Sequence, residues 1–155
     1  MWYIGRPRRA AAAGARIEDT RVSEILIPVS AGELADKITI LEIKAERLDD
    51  AGKLAHVRAE LDGLRPLWAP LEAAQAELAA RKAELKAVNA RMWDIQDGLR
   101  DRERAQDFGD GFVQLARAVA ATNGERVALK NAINRLAGSS FVEEKAYKAQ
   151  DGGAE

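Results

Sequence analysis

An apolar residue recurs at every seventh position through Leu71, Leu78, Leu85, Met92 and Leu99, and Val88 and Ile95 fall three residues after Leu85 and Met92. No other pattern constrains the fold as strongly. A seven-residue period with a second strip beside it puts an apolar seam along one side of a helix. The pattern runs from Leu71 to Arg104, and at ~1.5 Å per residue such a helix would span ~50 Å. A helix of that length with an apolar seam needs neighbours to cover it. The expected fold class is therefore all-α: an antiparallel bundle of three to four helices around one long, coiled-coil-like central helix.

Composition fits this. The chain has 155 residues, enough for one domain with a useful core, and aromatics are only 5% of it, so the core should be mainly aliphatic. The 24 basic and 25 acidic residues leave a formal net charge of −1. The signs are interspersed, so no basic face suited to nucleic acid is expected. There is no cysteine, which excludes disulfides and thiolate metal sites. No apolar run is long enough to span a bilayer. No cofactor is implied, and the expected location is the cytoplasm.

Residues 1–22 differ in composition from the rest of the chain. Arg6, Arg8, Arg9 and Arg16 precede the first acid and surround the run Ala10 to Ala13. A targeting peptide, coding noise from a start placed too far upstream and a disordered tail all fit this composition. The stretch is read as lying outside the fold, with the bundle over 23–147 and a loose tail over 148–155. Glu24 to Val29 is short, branched and contains Pro28, and reads as an extended segment or edge strand.

Ser30 followed by Glu33 is a capping box, so helix one should run from Ala31 to about Leu48. Leu34, Ile38, Leu41, Ala45 and Leu48 mark one face, and Ile40 and Ile43 add a second strip, so more than one side should be buried. Asp49 to Gly52 is a turn with a helix cap. Leu54, Val57, Leu61, Leu64 and Trp68 then mark helix two. Pro66 and Pro70 interrupt that pattern, and a reversal between about Arg65 and Ala74 is expected in preference to a kink. The central helix should end near Gln106. Helix four comes next, along Phe108, Phe112, Leu115, Val119, Thr122, Arg126, Leu129, Ile133 and Leu136, with Gly138 as its stop. Phe141 to Tyr147 is expected to pack back on the bundle.

Thr122 and Arg126 interrupt an otherwise apolar stripe. If the last two helices form a hairpin about residues 106 and 107, positions summing to roughly 213 lie level. That puts Arg126 beside Val88 and Asn89, Arg117 beside Asp97, and Lys130 beside Glu84, with Glu42 and Glu46 at about the same height. The candidate site is thus a polar belt of Glu42, Glu46, Asn89, Arg126 and Lys130. It serves either as a set of buried ion pairs fixing register or as an anion pocket with Arg126 and Lys130 as clamps. No catalytic or metal-binding residue stands out. His56 is the sole histidine and lacks partner ligands. Asp94 and Asp97 sit among arginines as a solvated face. Gly109-Asp110-Gly111 matches neither a phosphate nor a calcium loop. Trp93 beside the seam reads as core or interface filler.

Several segments carry a resemblance: Ile27-Pro28-Val29-Ser30 with Gly32-Glu33-Leu34, Asp36 through Lys44, Trp93-Asp94-Ile95, Phe112-Val113, Leu129-Lys130 and Val142-Glu143-Glu144-Lys145. Together they resemble a bacterial family of small helical domains of unknown function, over Glu24 to about Tyr147. The resemblance implies domain limits and no activity. The expected function is a non-enzymatic module that binds a protein partner or a second copy through an exposed part of the seven-residue stripe. The alternative is an enzyme or binder acting on a small anion at the polar belt.

Overall fold

The computed structural model describes residues 26–140, and all regular structure among them is helical. The four helices are α1 (Ala31–Arg47), α2 (Ala51–Ala74), α3 (Glu77–Arg104) and α4 (Asp110–Leu136). They form an all-α bundle in which α3 and α4 pack as a long hairpin and α1 lies against each of the other three. The expectations for the leader, for Phe141 to Tyr147 and for the tail lie outside the described residues.

The starts of α1 and α2 obey the local chemistry. Ser30 Oγ accepts the Glu33 amide at 3.1 Å, and Asp50 Oδ1 accepts the Lys53 amide at 2.8 Å, each satisfying a donor that the first turn leaves unpaired. The reciprocal half of the capping box is replaced: the Glu33 carboxylate pairs with Lys130 instead. At the other end of α4, Gly138 adopts φ 65°. The Ser139 amide then reaches back to the Asn134 carbonyl at 2.9 Å, the pattern of a Schellman cap. Gln106 takes the same left-handed position after α3, at φ 52°.

The structure departs from expectation at the prolines. Helix α2 continues through Pro66 and Pro70, and the reversal comes at Gln75 and Ala76. Leu71 therefore belongs to the last turn of α2, and the central helix begins at Glu77. Each proline withholds the amide that would serve the carbonyl four residues earlier. Here those carbonyls belong to Asp62 and Pro66, both exposed residues, so water can satisfy them. The opposite face carries an uninterrupted stripe of Val57, Leu61, Leu64, Trp68 and Leu71 into the core. Burial of that stripe outweighs the local cost. Trp68 also anchors the segment, donating its indole N–H to Glu72 at 2.6 Å.

The core joins Ala35, Ile38 and Leu41 of α1, Val57, Leu61 and Trp68 of α2, Leu78 and Leu85 of α3, and Ile133 of α4. Leu85 and Ile133 are wholly inaccessible, and each such side chain contributes about 1.5–3 kcal/mol by leaving water. The seven-residue stripe thus points inward, with Leu78 and Leu85 sealed and Leu71, Met92 and Leu99 partly covered. It builds the core and offers no exposed binding strip. The segment 26–29 has no regular secondary structure and forms no strand.

Candidate functional site

Two polar clusters and one apolar groove lie around α1. The first cluster is built from a third face of that helix. Gly32, Asp36, Thr39 and Ile43 recur at helical spacing and are all buried. Asn89 comes from α3 and Arg126 from α4. Arg126 Nε donates to Asp36 Oδ1 at 2.8 Å while Nη2 donates to Oδ2. Asn89 Nδ2 donates to the same Oδ1 at 2.9 Å and to Thr39 Oγ1 at 3.0 Å. The Thr39 hydroxyl in turn donates to the Asp36 carbonyl at 2.9 Å. Burial pushes the Asp36 carboxyl up, but hydrogen bonds from Arg126 and Asn89, with the charges of Arg126 and Lys130, more than offset this and hold it below its usual range.

One turn nearer the start of α1, the backbone of the two helices comes very close. The Gly32 amide donates to Asn134 Oδ1 at 2.6 Å, and a Cβ at residue 32 would stand 2.5 Å from the Lys130 carbonyl oxygen. Lys130, itself buried, reaches the half-exposed Glu33. The contacts Gly32 with Asn134, Glu33 with Lys130 and Asp36 with Arg126 run in opposite senses, so α1 and α4 are antiparallel.

The second cluster lies further along α1. Glu42 receives Lys82 at 2.9 Å and Lys86 at 3.4 Å, and Lys86 also bridges to Glu46 at 2.6 Å. Burial raises the Glu42 carboxyl, and the hydrogen bond and charge of Lys82, together with those of Lys86, bring it below its usual range. Arg58 and Arg65 of α2 join this cluster around a shallow cavity of about 370 Å³.

The expected belt is therefore divided. Asn89 and Arg126 meet, but through Asp36 and Thr39, two residues not assigned to the belt. Arg126 pairs with neither Glu42 nor Glu46, which belong to the second cluster, and Lys130 pairs with Glu33 and not with Glu84. Arg81 takes Glu84 instead, and Asp97 is held by Arg100 and not by Arg117. The hairpin register itself is close: Leu115 stands against Gly98, where an added Cβ would meet it at 3.0 Å. His56 is exposed. Asp94 pairs with Arg47, whose guanidinium lies 5.7 Å from the centroid of the Trp93 ring. Among the described residues, no three His, Cys, Asp or Glu side chains group as a metal site. Asp36 is within reach of sequence reasoning: an acid at helical spacing from Gly32 and Thr39, with Ile43 beyond, marks a buried small-and-polar face.

The groove lies between α1 and α2. It has a volume of about 670 Å³, with Leu34, Ile40 and Leu41 of α1 and Leu64 and Leu67 of α2 among its walls. Leu26, Ile27 and Val29, which precede α1, line it as well. Lys37 of α1 and Glu60 of α2 form an ion pair of 2.6 Å on its rim. Leu26 (93% exposed), Ile27 (69%), Leu67 (59%) and Val29 (52%) all face this groove. They are four of the six large apolar residues most open to solvent among those described, so the exposed apolar surface is concentrated there.

Among the described residues, the fold and its clusters define a small helical-bundle domain with an internal ion-pair lock and an open apolar groove. Residues 25–152 match the model of a family described as "Family of unknown function (DUF6165)", and the chain belongs to that family. No curated protein and no solved structure matches the chain. No described helix is long and apolar enough to cross a membrane.

Proposed function

We propose that this domain is a non-enzymatic protein-interaction module of the bacterial cytoplasm, and that its binding face is the groove between α1 and α2. The observation that carries this reading is the gathering of Leu26, Ile27, Val29 and Leu67 on one groove while the seven-residue stripe is spent on the core. Exposed apolar side chains scattered singly are ordinary, whereas a contiguous set around a groove marks a surface that associates.

Charge supports the same choice over a small-anion site. Arg126 is already engaged by both oxygens of Asp36, and Lys130 by Glu33. An entering anion would have to displace a carboxylate that is itself buried, which costs several kcal/mol. The polar cluster is thereby assigned to holding α1 on α3 and α4, and the groove to binding.

The test is a photoreactive amino acid in place of Leu67, with Val113 at the far end of the bundle as the control position. Irradiation in cells should give an adduct of discrete mass from position 67 and none from 113. Absence of any discrete adduct at 67, or the same products from both positions, would count against the groove as a binding face.

A further inference from the structure

We infer that the partner of the α1–α2 groove is an apolar segment of another protein that carries a carboxylate, and that Lys44 of α1 receives that carboxylate. The inference rests on the reading of the groove as a binding face and gives the chemistry of what that face takes.

The charges on the walls single out Lys44. The other four ionic side chains that line the groove are answered: Lys37 by Glu60 at 2.6 Å, Glu33 by Lys130 and Asp36 by Arg126. Lys44 is half-buried, and among the described residues its ammonium meets no hydrogen-bond or ion-pair partner. The positions that neighbour it along the helix, Ile40, Leu41, Arg47 and Leu48, hold no acid. Its place in the last turn of α1 suits the helix dipole, but a dipole supplies no counter-ion.

An occupant that covers the groove takes what remains of Lys44 out of water. An ammonium enclosed in that way is unfavourable unless an anion meets it. A wholly apolar occupant is therefore penalised, a basic one is repelled, and one that sets a carboxylate level with Lys44 is preferred. One wall charge makes a general apolar surface selective. Two features favour a peptide chain over a small carboxylate amphiphile. Leu26, Ile27 and Val29 are themselves walls, and the backbone of 26–29 makes no hydrogen bond to any described residue. Those open groups can pair with the backbone of a second chain, whereas an acyl chain offers them nothing. The groove is also large: about 670 Å³, within the ~300–1,000 Å³ of sites that bury a drug-sized ligand, with apolar walls on α1, on α2 and on the segment before α1 that can seat several side chains.

The experiment selects binders from a random peptide library on the full native chain and, in parallel, on Lys44→Glu and Leu67→Glu, with circular dichroism showing the helices intact in each. The native chain should enrich apolar peptides that carry an aspartate or glutamate. Lys44→Glu should enrich apolar peptides that carry a lysine or arginine instead, and Leu67→Glu should enrich none. In anisotropy titrations with one acidic peptide so selected, Lys44→Glu should weaken binding roughly tenfold or more. Exchanging the acid of that peptide for lysine should restore its binding to Lys44→Glu. If Lys44→Glu fails to fold, Lys44→Gln serves in its place and should lose the preference for an acid. Dodecanoate, the probe for a small amphiphile, should not displace the peptide.

Enriched peptides that depend on Leu67 but ignore the charge at residue 44 overturn the inference and leave the groove as a binding face. Displacement by dodecanoate that needs Lys44 also overturns it, in favour of a small amphiphile. So does a native mass of two chains that Leu67→Glu returns to one, because a second copy of this chain then fills the groove. No enrichment on the native chain, together with an in-cell adduct at position 67, removes the acidic segment alone. No enrichment and no adduct at that position would remove both the inference and the reading beneath it.

Discussion

Arg126 of α4 closes on Asp36 of α1 with two different nitrogens, one on each carboxylate oxygen, across ninety positions of chain. Both Asp36 oxygens are thereby committed, and Asn89 of α3 adds a third bond to Oδ1. Three of the four helices are tied to one buried carboxylate. A charge-assisted fork of this kind fixes relative position more sharply than apolar contact, which tolerates sliding.

This lock should make the fold sensitive to acid. Asp36 and Glu42 are both held below their ordinary values of 3.8 and 4.5. A carboxyl lowered in the folded state contributes stability that is complete above its unfolded value. That contribution is lost as pH falls through the folded one. Urea midpoints should therefore be level from neutral pH to about 5 and fall below that. Because Lys82 and Lys86 neutralise Glu42 where it is partly exposed, its share should be the smaller and should shrink in salt. A midpoint insensitive to pH below about 4 would mean that neither carboxylate is tied as described.

The close approach at Gly32 predicts an asymmetry among glycines. Gly32→Ala puts a methyl 2.5 Å from the Lys130 carbonyl and 2.8 Å from Asn134 Oδ1. It should destabilise by about 1–3 kcal/mol, the usual range for overpacking. Gly124→Ala, also within a helix but with nothing within 4 Å, should stabilise by about 0.4–1 kcal/mol. Chemical melts of the two variants decide this. Equal effects would place α1 further from α4.

The prolines of α2 supply another contrast. If Pro66 and Pro70 lie inside a continuous helix, restoring an amide there should help. Proline costs about 3 kcal/mol against alanine in a helix interior, and its stiffening of the unfolded chain returns at most about 1, so a gain near 2 kcal/mol is expected for Pro66→Ala. Were the chain reversing at 66–70, the same change would remove a turn residue and lower the melting temperature.

The starts of α1 and α2 and the last stop can be read locally. Ser30, Asp50 and Gly138 act through their own side chain or their own φ, so a few residues of sequence contain the whole cause. The long-hairpin register is also nearly legible, because a tight turn leaves two antiparallel helices little freedom, as Gly98 against Leu115 shows. Two things are not local. Whether a proline ends a helix depends on the solvent reach of the carbonyls it frees and on burial of the opposite face, neither of which the dipeptide contains. The partner of Arg126 depends on how α1 crosses α3 and α4. Reading that height through helix two places Glu42 where Asp36 stands, an error of six residues or ~9 Å along a helix. The tight Gly32 contact that fixes the crossing lies between residues 102 apart and leaves no periodic trace.

The most direct test of the division between an internal lock and an outer binding face is a double-mutant cycle on Asp36 and Arg126 in denaturant. Arg126→Met should cost about 3–5 kcal/mol, because it keeps the aliphatic stem but strands a buried carboxylate. Asp36→Leu should also destabilise, by taking the carboxylate from beside the guanidinium, tempered by the partial exposure of Arg126. The double variant should recover most of either loss, giving a strongly favourable coupling. An Arg126→Met protein as stable as the native chain, or more so, would contradict the account. It would mean that the positive charge is not compensated by Asp36, and the polar cluster would then have to be read as a site awaiting an anion.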